Sequence, residues 1–190
     1  HDRQGVAVLK GVDASYEQLT QIDSILIDGS FKLADEVVNY ANMGIGLAYA
    51  LGINAGFVTP MEIYAPKRAE QVNMANPASS FHFEYAYIGS VFRTDQQLYD
   101  DSYLIVPLAL ARSLFDYEHE VSAIELKLHD PKRIAQTKQE ISRLLGEGYK
   151  VQDRFEQQED SFRMMQIEKW MTFLILTFIL AIALFNVVGS

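Results

Sequence analysis

His82 and Glu84 stand two apart in the run FHFEYAYIGSVF, Phe81 to Phe92, and strand spacing puts their imidazole and carboxylate on one face. Together they make half of a metal site. A bound transition metal needs a third or fourth protein ligand, none is evident nearby, and two solvated side chains are the simpler reading. His119, between Glu118 and Glu120, falls in a connection where solvation accounts for it, and His129 precedes a helix cap. The pair Gly44 and Gly46 lacks the third glycine of a dinucleotide fingerprint, since Tyr49 holds that position, and no GxxxxGKS/T phosphate loop occurs. No serine stands in a GxSxG elbow. No catalytic, cofactor-binding or metal-ligating residue is assigned on these grounds. A membrane-anchored metal-dependent enzyme using His82 and Glu84 is kept as the reading from a second class.

The opposite face of the same run carries Phe81, Phe83, Tyr85 and Tyr87. Four aromatics in register suit an acyl chain, but packing the domain core is the favoured expectation. The elements that hold this strand are legible from periodicity and punctuation. VAVLKGVD (Val6 to Asp13) reads as a strand, followed by a short helix opened by Ser15. EVVNYANM is a further strand, Ile45 to Leu51 a helix stopped by Gly52, and PMEIYA a strand closed by Pro66. Lys67 to Ser80 has no apolar period and clusters Asn, Pro and Ser, the composition of an exposed, binding-competent loop. After a polar turn at Asp95 to Asp101 come the strand YLIV, Pro107 at the head of the helix PLALARSLF, and the alternating strand VSAIELKL. Asp130 and Pro131 open a helix that Gly146 stops, and YKVQD is a last short strand. Strands and helices that do not strictly alternate predict an α+β domain.

A formal net charge of −9 excludes a nucleic-acid partner, which requires a basic patch. The lack of Cys removes thiol chemistry and is compatible with an oxidising compartment. HDRQG at His1 is no signal peptide, so any targeting segment is expected upstream and the chain reads as a fragment. At the other end, from Trp170 to Gly189 only Thr172, Thr177 and Asn186 carry polar side chains and none is charged. That run, about 30 Å long as a helix, matches a bilayer core. The three polar residues point in different directions, so the helix has no polar face and is expected to span a membrane. Glu168, Lys169 and Trp170 mark its water boundary. From about Asp153 onward no Gly or Pro intervenes before Gly189, and a helical stalk is expected to run into the apolar segment.

The run IEKWMTFLILTFILAIALFNVVGS resembles the start of the second membrane helix of LolC/LolE-type permeases of bacterial ABC transporters, with Glu168, Lys169, Met171, Phe185 and Asn186 at the matching positions. GVD (Gly11 to Asp13), GLAYALGINAG (Gly46 to Gly56), YIGSVF (Tyr87 to Phe92) and the pair Tyr99 and Asp100 keep the family's order across nearly the whole chain. Phe57 stands where the family usually has Asp. The resemblance implies a non-enzymatic, MacB-type periplasmic core domain over residues 1–152, a stalk helix over 153–167 and the start of a transmembrane helix over 168–190, in the inner membrane. It also implies a cytoplasmic ABC ATPase subunit that binds the ATP, so that this chain needs no cofactor. A second permease copy or paralogue, a LolA-like periplasmic carrier, lipoprotein cargo and membrane lipid are the other implied partners. The resemblance further implies that carrier recruitment would fall to Met74, Asn76 and Pro77 in MANPAS, the candidate contacts. MacB-type export and FtsX-type regulation of wall hydrolases use the same architecture and stand as the alternative.

Overall fold

A computed structural model describes residues 3–56, 58–68, 80–154, 156–157 and 169–180. The chain divides into two compact units, His1–Leu126 and Lys127–Ser190. The first holds β1 (Val8–Val12), α1 (Tyr16–Leu19), a 3-10 turn at Ile22–Ile25, β2 (Leu26–Gly29), β3 (Tyr40–Gly44), α2 (Ile45–Leu51), β4 (Met61–Pro66), β5 (Phe81–Phe92), α3 (Gln97–Ser102), β6 (Tyr103–Pro107) and α4 (Leu108–Phe115). The second opens with a 3-10 turn at Pro131–Arg133 that leads into α5 (Ile134–Leu145).

The strands form one mixed sheet in the order β1-β6-β3-β5-β2, with β4 pairing β5. β1 runs parallel to β6 and β3 parallel to β5, while β2 and β4 are antiparallel to β5. This is an α+β domain. Alternation along β6 shows how the sheet buries both faces. Leu104 and Val106 join a core with Met43, Leu47, Ala48, Leu110 and Leu114 beneath α2 and α4, whereas Ile105 joins Val12, Ile22, Phe31 and Phe92 on the other side. Leu110 and Leu114 are four apart, so α4 buries a single stripe. At the sheet centre the fully buried Asn42 is satisfied by neighbours. Its amide donates to the Lys32 carbonyl (2.8 Å) and its oxygen accepts from the Ser90 hydroxyl (2.7 Å), which removes the cost of an orphaned buried amide.

Two glycines set the local geometry of α2. Gly52, at φ 71°, ends it in a Schellman arrangement, with Gly52 N–H donating to Tyr49 and Ile53 N–H to Ala48. Gly44, just before the helix, lies so near α3 that a Cβ there would come within 2.3 Å of the Asp100 carbonyl oxygen. Gly46, the first residue of GLAYALGINAG, lies likewise against Asp101, so that stretch of the resemblance begins beside the Tyr99 and Asp100 pair.

The polar run expected as a turn at Asp95 to Asp101 is helical from Gln97 on, as α3; three further expectations need correction. VSAIELKL forms no strand, and neither does YKVQD: among the described residues neither has a ladder partner. Alternation supplies an apolar side but no second backbone, and Ile124 and Leu126 stay 78% and 67% exposed. Ser15 precedes α1 without capping it, because its hydroxyl donates instead to the Asp13 carboxylate (2.6 Å). The third correction concerns the aromatic face of β5. The alternation is as expected, but its sides are reversed: Phe81, Phe83 and Tyr85 are 40%, 54% and 50% exposed, while Ala86 and Ile88, in phase with His82 and Glu84, are buried. The small Ala86 and the apolar Ile88 pack in the core with Leu110 and Leu114, and that choice turns the bulky rings outward.

Candidate functional site

β4 and β5 form a ribbon with six residue pairs, from Met61 opposite Ala86 to Pro66 opposite Phe81. Cross-strand partners share a face, so Tyr64, opposite Phe83, and Glu62, opposite Tyr85, lie on the outward side. The rings of Tyr64 and Phe83 are 6.0 Å apart, and those of Phe83 and Tyr85 meet edge-on at 5.7 Å. The Tyr64 hydroxyl donates to the Glu62 carboxylate, and this bond raises the tyrosine pKa by favouring its protonated form. Beyond the ribbon, Lys67 N–H donates to the Ser80 carbonyl (2.9 Å) and closes the neck of the connecting loop. Met74, Asn76 and Pro77 lie outside the described residues.

The neck of that loop adjoins a turn after α4 that sequence reading missed. Asp116 adopts φ 57° and reverses the chain. The Arg112 guanidinium then donates to the carbonyls of His119 (3.0 Å) and Glu120 (3.4 Å). The Glu120 carboxylate folds back onto backbone N–H groups, its own first and then those of His119 and Glu118, and Arg68 adds a favourable charge, so its pKa is lowered. The Arg68 guanidinium lies over the Tyr117 ring, 4.9 Å from its centre. His119 thus serves through its backbone. Nothing in the spacing of these residues announced the cluster, which depends on a left-handed residue at Asp116.

His82 and Glu84 are both half-buried on the inward side of β5, where Glu84 accepts from the Ser113 hydroxyl of α4. Among the described residues no group of three or more His, Asp or Glu is placed to hold a metal ion.

In the second unit, α5 and the start of the next helix meet at charged side chains. Asp153 and Glu156 form a reciprocal capping box, in which Glu156 N–H donates to the Asp153 carboxylate (3.0 Å) and Asp153 N–H to that of Glu156 (3.2 Å). Lys138 of α5 pairs with Glu156 and lies 3.9 Å from Asp153; its bond, then that of the Asp153 amide, lowers the Glu156 pKa. The sequence D-x-x-E at Asp153 to Glu156 carried the signal for this cap. Residues 169–180 are helical and, from Trp170 on, carry apolar side chains on every side, with Trp170 72% exposed and Phe173, Ile175 and Phe178 exposed around the axis. Lys169 is exposed beside Trp170, and Glu168 lies outside the described residues. Among the described residues no helix is long and apolar enough to cross a membrane.

A mixed-sheet domain carrying a ribbon and loop, with a separately capped helix after it, is the arrangement that invites comparison with known proteins. No family model matches the chain. The chain is similar to the lipoprotein-releasing system transmembrane protein LolC of Neisseria meningitidis serogroup B (strain ATCC BAA-335 / MC58), 31% identical over 149 residues, which is 78% of this chain and 34% of that relative. The match supports a LolC-like permease family, and the chain spans about a third of the length of the curated relative it matches.

Proposed function

We propose that this chain is the extracytoplasmic part, with the start of the second membrane helix, of a permease subunit of a lipoprotein-releasing ABC transporter. The observation that carries the reading is the similarity to LolC across 78% of the chain; a transporter component, not an enzyme, is what that relative's name points to. In this reading residues 1–152 lie in the periplasm, residues 153–167 form the stalk, and the segment from Glu168, with Lys169 and Trp170 at the water boundary, enters the inner membrane. The capping box at Asp153 supports a helix starting where the stalk is expected. The absence of any continuous polar side on residues 170–180 supports a lipid environment for that helix.

The mechanism needs two capacities from this chain. One is to hold a soluble carrier close to the membrane, the task proposed for the loop between β4 and β5 through Met74, Asn76 and Pro77. A rigid ribbon suits such a loop, because its inward side is anchored by Ala65 and Ala86, 3% and 0% exposed, and a fixed base lowers the ordering cost of binding. The other is to convey displacement of membrane helices, driven by ATP hydrolysis in a separate cytoplasmic subunit, to the periplasmic domain. A continuous hydrogen-bonded helix conveys it better than a Gly-rich link. The test is capture of a LolA-type carrier by the full-length permease containing this chain. Met74→Ala with Pro77→Ala should abolish capture without changing the melting temperature; unaltered capture would remove the loop from the proposal.

A further inference from the structure

Within the second unit, the helical turn after Asp153 is held by more than its backbone connection. The helical turn that follows Asp153 is capped by Asp153 and Glu156, and both carboxylates are met by one ammonium group, Lys138, which stands on α5. All three side chains are partly shielded, with 26% of Lys138, 25% of Asp153 and 41% of Glu156 exposed. A capping box alone fixes where a helix begins; it does not tie that helix to another element. Lys138 adds the tie, joining two elements separated by the 146–152 connection, which has no regular structure and contains Gly146 and Gly148. A connection of that kind lets two helices move independently unless side chains hold them together.

We infer that Lys138 is a positioning residue that clamps the helical turn at 154–157 to α5, so that displacement reaching that turn is passed on to α5 rather than absorbed by the connection at 146–152. This rests on the reading of that turn as the start of the stalk of an ATP-driven permease. The clamp has a chemical requirement, a cation that reaches two carboxylates at once, and arginine can meet it as lysine does.

Two measurements on the full-length permease, assembled with its ATPase subunit in lipid nanodiscs, test the inference separately from the reading it rests on. The first is amide hydrogen exchange over residues 153–157, which needs no cargo. Lys138→Ala should accelerate exchange at Glu156 and Gln157 by about two- to fivefold, the range of a partly exposed ion pair, and Lys138→Arg should restore protection. Unchanged exchange in Lys138→Ala overturns the clamp. The second is lipoprotein released per ATP hydrolysed. Lys138→Ala should lower that ratio by at least about twofold while ATP hydrolysis continues, and Lys138→Arg should recover it. A ratio that stays constant while protection is lost overturns the transmission role. A wild-type assembly that releases no lipoprotein overturns the permease reading, and the transmission role with it.

Discussion

The two halves of β5 contrast within one strand. Residues 87–92 run between β3 and β2 at the centre of the sheet, where Ile88, Val91 and Phe92 are buried and Ser90 bonds Asn42. Residues 81–86 pair with β4 and leave Phe81, Phe83 and Tyr85 in solvent. The same backbone thus serves as a core element at one end and as the support of a loop at the other. In the half that pairs with β4 the buried side chain is the modest Ala86, while Phe81, Phe83 and Tyr85 lie outside; in the other half Phe92 is buried. Aromatic content is therefore a poor guide to the inside of the first half of this strand.

The sharpest way to break that contrast is to truncate one residue from each half. Ile88→Ala should cost about 2–5 kcal/mol in urea unfolding, as deletions from close-packed cores do. Phe83→Ala should cost no more than about 1.5 kcal/mol, the worth of its ring contacts. Equal losses would mean that the outward ribbon face is covered in the native protein. Next in size is the backbone approach of α2 to α3. Gly44→Ala must displace the Asp100 carbonyl and should destabilise by about 1–3 kcal/mol, whereas Gly148→Ala, with nothing within 4 Å of the added Cβ, should stay within about 0.5 kcal/mol; thermal melting of the two variants separates them.

The smallest effect concerns acid stability at the loop neck. Glu120 holds its proton less tightly when folded than its ordinary value of 4.5, because backbone N–H groups favour the carboxylate. The unfolded chain therefore binds more protons in that range, and stability rises with pH there. The contribution of Glu120 is present above its unfolded pKa and is lost as pH falls through the lower folded one. Glu120→Gln should flatten the acid limb of a stability-against-pH curve slightly, since the group is solvent-exposed; an unchanged limb would show that its turn persists without the charge.

How much of this was legible beforehand follows from what each element depends on. α2 was readable from Ile45 to Leu51 because Gly52 supplies a local stop, and β5 because alternation runs from Phe81 to Ile88 and strand-forming residues continue to Phe92. β2 was not: LIDG is four residues with Asp28 and Gly29 inside it, and only pairing with β5 makes it a strand. α3 hid in a polar run whose helical character depends on packing against Gly44. VSAIELKL failed the other way, with a strand pattern and no partner among the described residues. At the candidate site, the neck and its ribbon were legible, but the cluster of Arg68, Arg112, Tyr117 and Glu120 joins residues up to 52 positions apart through a reversal at Asp116. The clamp at Lys138 had a readable half, the capping box, and a hidden half, the lysine on another helix.

The measurement that bears most directly on the account is lipoprotein transfer from proteoliposomes that contain the proposed full-length permease and the proposed ATPase subunit to a soluble LolA-type carrier. Transfer that requires both ATP and the carrier, and that is lost in the Met74→Ala, Pro77→Ala variant while ATP hydrolysis persists, is the expected result. Transfer at the same rate without ATP, or none by the intact assembly, would contradict it.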